Sequence, residues 1–478
     1  MDKHSAAQAE VPVLLERLLE ILLAHRSAFR QERPYQRAMA LVFGELFSFA
    51  RHTLTQVLLS LGLTQGDWSG WYRLFSHPRF DEQKLSRCLL QETLEHVDRD
   101  SPYVVGVDVT HIPRSSRKMP GTGWTRAPGT APFSRGLGRA QRFLHGAWLL
   151  GPHEGFSRAI PLRFLPAFPP KAAAAEAAPA KEWEAGIAFV RWVRGELDRA
   201  GRGSQEVLVL GDGAYDTVGF WRGLPEGSLA LVRTACNRRL RELPPPYPGR
   251  GRRRKYGPQE VPKPGEWLRV RGGWGGVEVG VRGRSIRMRY RVLGPYLREL
   301  VPERPLFLIV VGGASWKVGK RAPRRVRREP AFYLVSAKWQ GGRWGLPYPV
   351  GELLGWVWQR WELEVAHREM KSGLGVGQKQ CWNPRSAVVS VQWGAWVYGV
   401  LVLAGYRAWG LFGGPPCPGP WWAGARRWSL ATLWRGYRAA LWGTGDFRAL
   451  WSGTGADWTK KEQWLAGLAN AVGAASRA

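Results

Sequence analysis

From the N-terminus to about residue 98, apolar positions recur at helical spacing in VPVLLERLLEILL, YQRAMALVFGELFSFA and HTLTQVLLSLGL, which predicts an all-helical domain. Within it, Thr53 to Leu61, a glycine at 62 and then LTQGDWSGWYRLFS read as helix, turn and second helix. That geometry can set one helix in a DNA major groove, and plain helical packing explains the pattern equally well. At residue 103 the period drops to two. In YVVGVDVTHI, Val105, Val107 and Val109 share one face and Gly106, Asp108 and Thr110 the other, which predicts a central strand with a carboxylate inside it.

Two more strands are expected at 142–150 and 157–164, joined by a Gly-Pro-His-Glu-Gly turn that favours a hairpin. An Ala-rich, Pro-bounded linker at 166–180 leads into a helix with Trp183, Ile187, Val190, Val193 and Leu197 on one stripe and Gly201 placed to end it. EVLVLGDGAYD then reads as a buried strand ending at Asp212, and SLALVRT as the next strand. This order, with acids on the first and fourth strands, is the one expected of a ribonuclease-H-like α/β core. Residues 240–330 interrupt it with short basic strands and the apolar LFLIVV. FYLVSA resumes the core, a helix is predicted over 349–372, and a buried helix over 386–405.

The expected architecture is therefore α/β: a ribonuclease-H-like catalytic core at 99–239 and 331–405, split by a β-rich basic insertion at 240–330. An N-terminal helical, DNA-binding domain (1–98) precedes it and a basic, tryptophan-rich helical tail (406–478) follows. The stretch 387–405 is long enough to span a bilayer, but Ser390, Gln392 and three glycines favour a core helix.

Charge narrows the class. Lys and Arg number 70 against 38 Asp and Glu, a net charge of +32 spread along the chain, so a polyanion is the expected partner and nucleic acid is favoured over a membrane. Two runs concentrate it, RGRRRK at 250–255 and KRAPRRVRR at 320–328. Each reads as a phosphate-contacting segment or as a solvated loop. The four cysteines lie too far apart for CxxC-type zinc spacing and give no disulfide framework, which points to a reducing compartment, the cytoplasm.

A carboxylate in the middle of a strand is costly unless something positive neutralises it. Asp108, with Asp212 at the carboxyl end of a neighbouring strand and a third acid, would make the oxygen ligand set of Mg²⁺. The helix GELLGWVWQRWELEVAHREMKSGLG offers Glu362, Glu364 and Glu369. With Arg360 as zero and about 100° per residue, Glu364 falls near 40°, His367 near −20° and Lys371 near 20°, on one face. Glu362 and Glu369 fall at about 200° and 180°, where solvent-exposed helix acids are expected. Glu364 is the candidate, and surface ion pairing is the plain alternative for its stripe.

Here the residues resemble the DDE transposases of bacterial insertion sequences. In that family the glutamate helix carries tyrosine, two residues, arginine, three residues, glutamate, six residues and lysine; Arg360, Glu364 and Lys371 match, and Val357 stands where the tyrosine would be. GDGAYD is similar to the family's second-aspartate motif, and HREMKSGLGV to the segment after its glutamate. The spacings, 104 residues from Asp108 to Asp212 and 152 from Asp212 to Glu364, suit members with a β-rich insertion.

The resemblance implies that Asp108, Asp212 and Glu364 hold two Mg²⁺ ions, with Mn²⁺ as a substitute, on either side of a scissile phosphate. Water cleaves at the element's end and the freed 3′-hydroxyl attacks target DNA. Arg360 and Lys371 would grip the end by its phosphates. His367 shares that face, either assisting or serving as a structural histidine. Arg253, Arg254, Arg324 and Arg325 are the insertion's DNA-contact candidates. The implied partners are double-stranded DNA and a second copy in the synaptic complex, with no membrane and a nucleoid-associated, cytoplasmic location. A catalytically silent DNA-binding derivative and a non-transposing nuclease of the same fold are the alternatives.

Overall fold

The computed structural model of the protein describes residues 12–49, 51–64, 66–126, 136–172, 180–318, 324–415 and 427–442. Five helices come first: α1 (Val13–Ala24), α2 (Glu32–Phe47), α3 (Leu54–Ser60), α4 (Ser69–Ser76) and α5 (Glu82–Leu94). Side-chain caps set two of their starts, Thr53 accepting from the Gln56 amide at 3.3 Å and Asp81 from the Lys84 amide at 2.9 Å. The apolar stripe Leu14, Leu15, Leu18, Ile21 and Leu22 of α1 is buried.

The chain then runs through β1 (Tyr103–Pro113), β2 (Thr122–Arg126), β3 (Leu137–Leu149), β4 (Ala159–Pro166), α6 (Glu182–Arg199), β5 (Val207–Gly211), α7 (Val218–Gly223) and β6 (Ser228–Arg233). β1 pairs antiparallel with β3, and β3 with β4, whereas β5 lies parallel to β1 and β6 parallel to β5. The resulting order β4-β3-β1-β5-β6 is a mixed α/β sheet compatible with a ribonuclease-H-like core.

Beyond it come β7 (Leu240–Glu242), β8 (Gly275–Gly280), β9 (Ser285–Arg298), β10 (Val301–Val311), β11 (Ala314–Val318), β12 (Arg324–Arg328) and β13 (Ala331–Ser336). All but β11 and β12 of these strands, the expected β-rich stretch, join the core sheet. β13 pairs with β6, β10 with β13 and β9 with β10, so the insertion extends the same sheet, which has eleven strands among the described residues. The reason lies in β10: Leu306 to Val311 are buried on both faces, which requires a hydrogen-bonded neighbour on each side and cover above and below. β11 and β12 form a separate hairpin, so the second basic run is a strand where it is described.

α8 (Val350–Gln359) and α9 (Trp361–Ser372) occupy the stretch expected as one helix. The interruption falls at Arg360, whose backbone stays helical at φ −52° and ψ −29°, so the face shared by Arg360 and Glu364 survives it. α10 (Pro384–Trp409) begins at Asn383, whose side chain accepts from the Ser386 amide at 3.0 Å, and ends at Gly410 with φ +63°. It is long and apolar enough to cross a membrane, and 89% of its most apolar window is buried inside the protein, packed on α1, α4, α5 and β4. α11 (Leu430–Trp442) closes over α1 and α2 with Leu433 and Tyr437 buried. The remainder of the tail, 443–478, and Cys417 lie outside the described residues.

Candidate active site

Three elements deliver the acids. Asp108 sits in mid-β1, and the parallel register of β1 and β5 ends with Gly106 opposite Leu210, two residues short of Asp108 on one strand and of Asp212 on the other, whose charges act on one another. There the chain leaves β5 in a tight 3₁₀ turn, Gly213–Tyr215, which Asp212 starts by accepting from the Ala214 amide at 2.9 Å. α9 lies directly over β1 at Gly106: a Cβ added there would come within 2.7 Å of Leu363 Cδ1. Only a residue without a side chain allows that approach, and the approach seats Glu364, the next residue along α9, beside Asp108.

Arg360 ties the two together. Its Nη1 donates to Asp108 Oδ2 at 3.4 Å and its Nη2 to Glu364 Oε1 at 3.3 Å. One guanidinium does not balance the acids. Burial pushes the Asp108 carboxyl up to about 6; Arg360 opposes the rise and Asp212 and Glu364 add to it. Glu364 is raised by burial too, against Arg360 and with Asp212 adding.

Among the described residues no three carboxylate, imidazole or thiolate groups converge at the spacing of a completed metal site. What the residues offer is a set of hard oxygen donors short of positive charge, which fits a divalent cation of the Mg²⁺ type. Lys371 adds a cation at the rim. Its ammonium is pulled below the ordinary lysine range by burial, with Asp108 opposing, and it makes no ion pair among the described residues.

The family model described as DDE superfamily endonuclease matches residues 24–292, more than half of the 478-residue chain. The chain belongs to the DDE superfamily endonucleases. No curated protein matches it. The match takes in Asp108 and Asp212 and stops short of α9, so Glu364 as a candidate third acid rests on the sequence and on the contacts among Arg360, Asp108 and Glu364.

The remaining predicted residues divide. His367 faces inward: its Nε2 lies 2.8 Å from Nδ1 of His145, which stands opposite Asp108 in the β1–β3 register. Burial, then Lys371 and Arg360, drive its pKa down to about 3, the surroundings that the structural reading of this histidine expects. Glu362 and Glu369, expected in solvent, are ion-paired inside the protein. Arg427 Nη2 donates to Glu362 at 2.7 Å, and Glu369 takes Arg158 at 3.2 Å and the Tyr398 hydroxyl at 2.6 Å. Helical angle placed them opposite Glu364, as they are; it could not foresee the arginines that α9 meets on that side.

Arg253 and Arg254 are exposed in the loop between β7 and β8, with the Arg253 guanidinium 4.8 Å from the Tyr247 ring. Arg325 is exposed on β12 and donates to Ser315 Oγ at 3.0 Å. The side chain of Arg324, and Lys320 and Arg321 entirely, lie outside the described residues. Arg328, from the same run, lies 3.7 Å from the Trp358 ring. It lines a cleft of about 750 Å³ that also includes Arg233, Arg282, Arg284, Arg360 and Glu364.

Two residues escaped the sequence reading. His145 is one. Glu182, the first residue of α6, is the other: burial raises its carboxyl to about 7, with Asp212 and Asp108 adding and Arg142 opposing. Beside it the wholly buried Tyr215 hydroxyl lacks a well-formed hydrogen bond. The only sequence signal was an acid in a first helical turn, which helix-dipole stabilisation explains equally well.

Proposed function

We propose that this protein is the transposase of an insertion sequence, cutting DNA at the element's ends and joining those ends to a target through metal-dependent phosphoryl transfer. The observation that carries the reading is the Arg360 guanidinium shared between Asp108 on β1 and Glu364 on α9, with Asp212 at the end of the adjacent strand. The reading takes Asp108, Asp212 and Glu364, from three distant parts of the chain, as one acidic group on a sheet compatible with a ribonuclease-H-like core. Asp108, Asp212 and Glu364 would hold the metal; bound there, divalent ions neutralise phosphate charge and lower the pKa of the attacking water. Arg360 and Lys371 would face the incoming backbone and fix its position without reading its sequence. Glu182, with a carboxyl poised near neutrality, is suited to take a proton within this group. The turn between β8 and β9 and the β11–β12 hairpin bring Arg282, Arg284 and Arg328 to the same cleft, where they support a grip on DNA beyond the cleavage point. Two copies acting on paired ends are part of the proposal.

The test is incubation of the full chain with DNA flanking its own gene in Mg²⁺. Breaks at paired inverted repeats, followed by joined products, are expected. Breaks without joining would make the protein a nuclease of this fold, and DNA binding with no breaks in Mg²⁺ or Mn²⁺ would make it a silent derivative.

A further inference from the structure

Four arginines converge at the N-terminal helices, far in sequence from every residue used above. Arg33 and Arg37 come from α2, Arg73 from α4 and Arg79 from the segment after it; with Gln31, Asp67 and Ser69 they line a cleft of about 280 Å³. Among the described residues none of the four makes an ion pair, although nearby arginines do, Arg26 with Glu32 at 2.7 Å and Arg17 with Glu20 at 2.7 Å. The one acid in the cleft is already engaged. Asp67 accepts from the Ser69 amide at 2.8 Å and from its hydroxyl at 2.5 Å.

Arg37 is also built in. Its Nη1 donates to the Gly70 carbonyl at 3.2 Å, its guanidinium lies 5.7 Å from the Trp71 ring, and a Cβ on Gly70 would come within 2.4 Å of Nη1. The site thus keeps a place for this guanidinium that another residue at 70 would fill. Burial, then the charges of Arg33, Arg79 and Arg73, hold Arg37 below the ordinary arginine value, with Asp67 opposing. Four like charges held together around one engaged carboxylate are a standing electrostatic cost unless an anion occupies the space.

We infer that this four-arginine cleft is a backbone-phosphate site for duplex DNA, placed to anchor the substrate away from the cleavage point. The inference rests on the reading of the chain as a DNA-cutting enzyme. Residues 61–68 separate α3 from α4, a longer connection than the turn of a helix–turn–helix, so the arginine cleft carries the inference; beside it the exposed Tyr72 on α4 is braced by Thr55 Oγ1 at 2.9 Å. α2 is tied to the segment that follows α9. Glu45, on the same helix as Arg33 and Arg37, is buried and ion-paired at 2.6 Å to Lys379, eight residues beyond Lys371, while His52 Nδ1 lies 2.6 Å from its other oxygen.

The experiment is anisotropy titration of a labelled duplex with the full chain in EDTA, at a series of KCl concentrations. It compares the wild type with the quadruple variant Arg33→Gln, Arg37→Gln, Arg73→Gln, Arg79→Gln and with the same four positions changed to lysine. The glutamine variant should bind more weakly, with a salt slope shallower by about 0.9 for each phosphate the cleft holds. The lysine variant should keep most of the slope. A folded glutamine variant with unchanged slope would overturn the inference, as would calorimetry showing that inorganic phosphate fills the cleft while duplex binding ignores it. If the glutamine variant does not fold, the exposed pair Arg73→Gln, Arg79→Gln gives the same reading. Because no metal is present, the result is independent of cleavage: a chain that binds through the cleft and never cuts would refute the transposase reading and leave the anchor standing.

Discussion

Asp212 and Asp216 stand four residues apart in one loop, and their surroundings are opposite. Asp216 is buried and fully partnered: Arg298 donates to one oxygen at 2.8 Å, Arg238 to the other at 2.5 Å, and Trp221 and Thr234 complete the set at 3.0 and 2.6 Å. Asp212 has one backbone amide and no ion pair among the described residues. α9 repeats the contrast, with Glu362 and Glu369 locked to arginines on one side and Glu364 sharing Arg360 with Asp108 on the other. Buried acids given a full complement of donors are architecture. Acids brought together with too little positive charge are what a site for cations and phosphates needs, and the molecule keeps the two kinds a few residues apart.

The contrast breaks if substitutions on its two sides behave alike. The largest expected effect is for Asp216→Asn, which leaves Arg238 and Arg298 facing an uncharged group and should cost about 3–5 kcal/mol in denaturant unfolding, whereas Asp212→Asn should leave stability nearly unchanged. Next comes Glu362→Gln, which strands Arg427 and should destabilise by about 2–3 kcal/mol while the remaining folded protein still cuts DNA.

Asp108→Asn should do the reverse and stabilise the metal-free protein. Its carboxyl is raised to about 6 in the folded chain against about 3.9 unfolded. Above pH 6 the folded protein must ionise this acid in a desolvated place; below about pH 4 it is protonated in both states, and the variant gains nothing. A gain on the order of 1–3 kcal/mol at pH 8 that disappears at pH 4 is expected in urea titrations. Added Mg²⁺ should stabilise the wild type and not the variant. The smallest expected effect is a change of shape: Glu182→Gln should remove the limb near pH 7 from the pH–rate profile of cleavage, and an unaltered profile would exclude Glu182 from proton transfer.

Much of this was legible in the sequence because it is periodic or local. The alternation around Asp108, the strand running into Asp212 and the 100° arithmetic that chose Glu364 all depend on spacing alone. What spacing does not carry is which distant residue arrives opposite. His145 is an ordinary residue of an apolar strand until β1 and β3 pair and His367 descends on it. Glu182 lies at the end of a linker and gains its meaning only where α6 meets the Asp212 loop. The insertion follows the same rule: short basic strands are readable as such, and the strand pairing that joins them to the core sheet is not. The four N-terminal arginines are spread over 47 positions of chain, with no motif to join them.

The central claim is that Asp108, Asp212 and Glu364 form one catalytic centre. Its most direct test is Mg²⁺-dependent cleavage of DNA carrying the element's ends by Glu364→Gln, beside Glu362→Gln from the opposite face of the same helix. Glu364→Gln should lose at least about 10³-fold in rate while binding DNA as the wild type does, and Glu362→Gln should retain cleavage. Cleavage by Glu364→Gln at the wild-type rate would contradict the account.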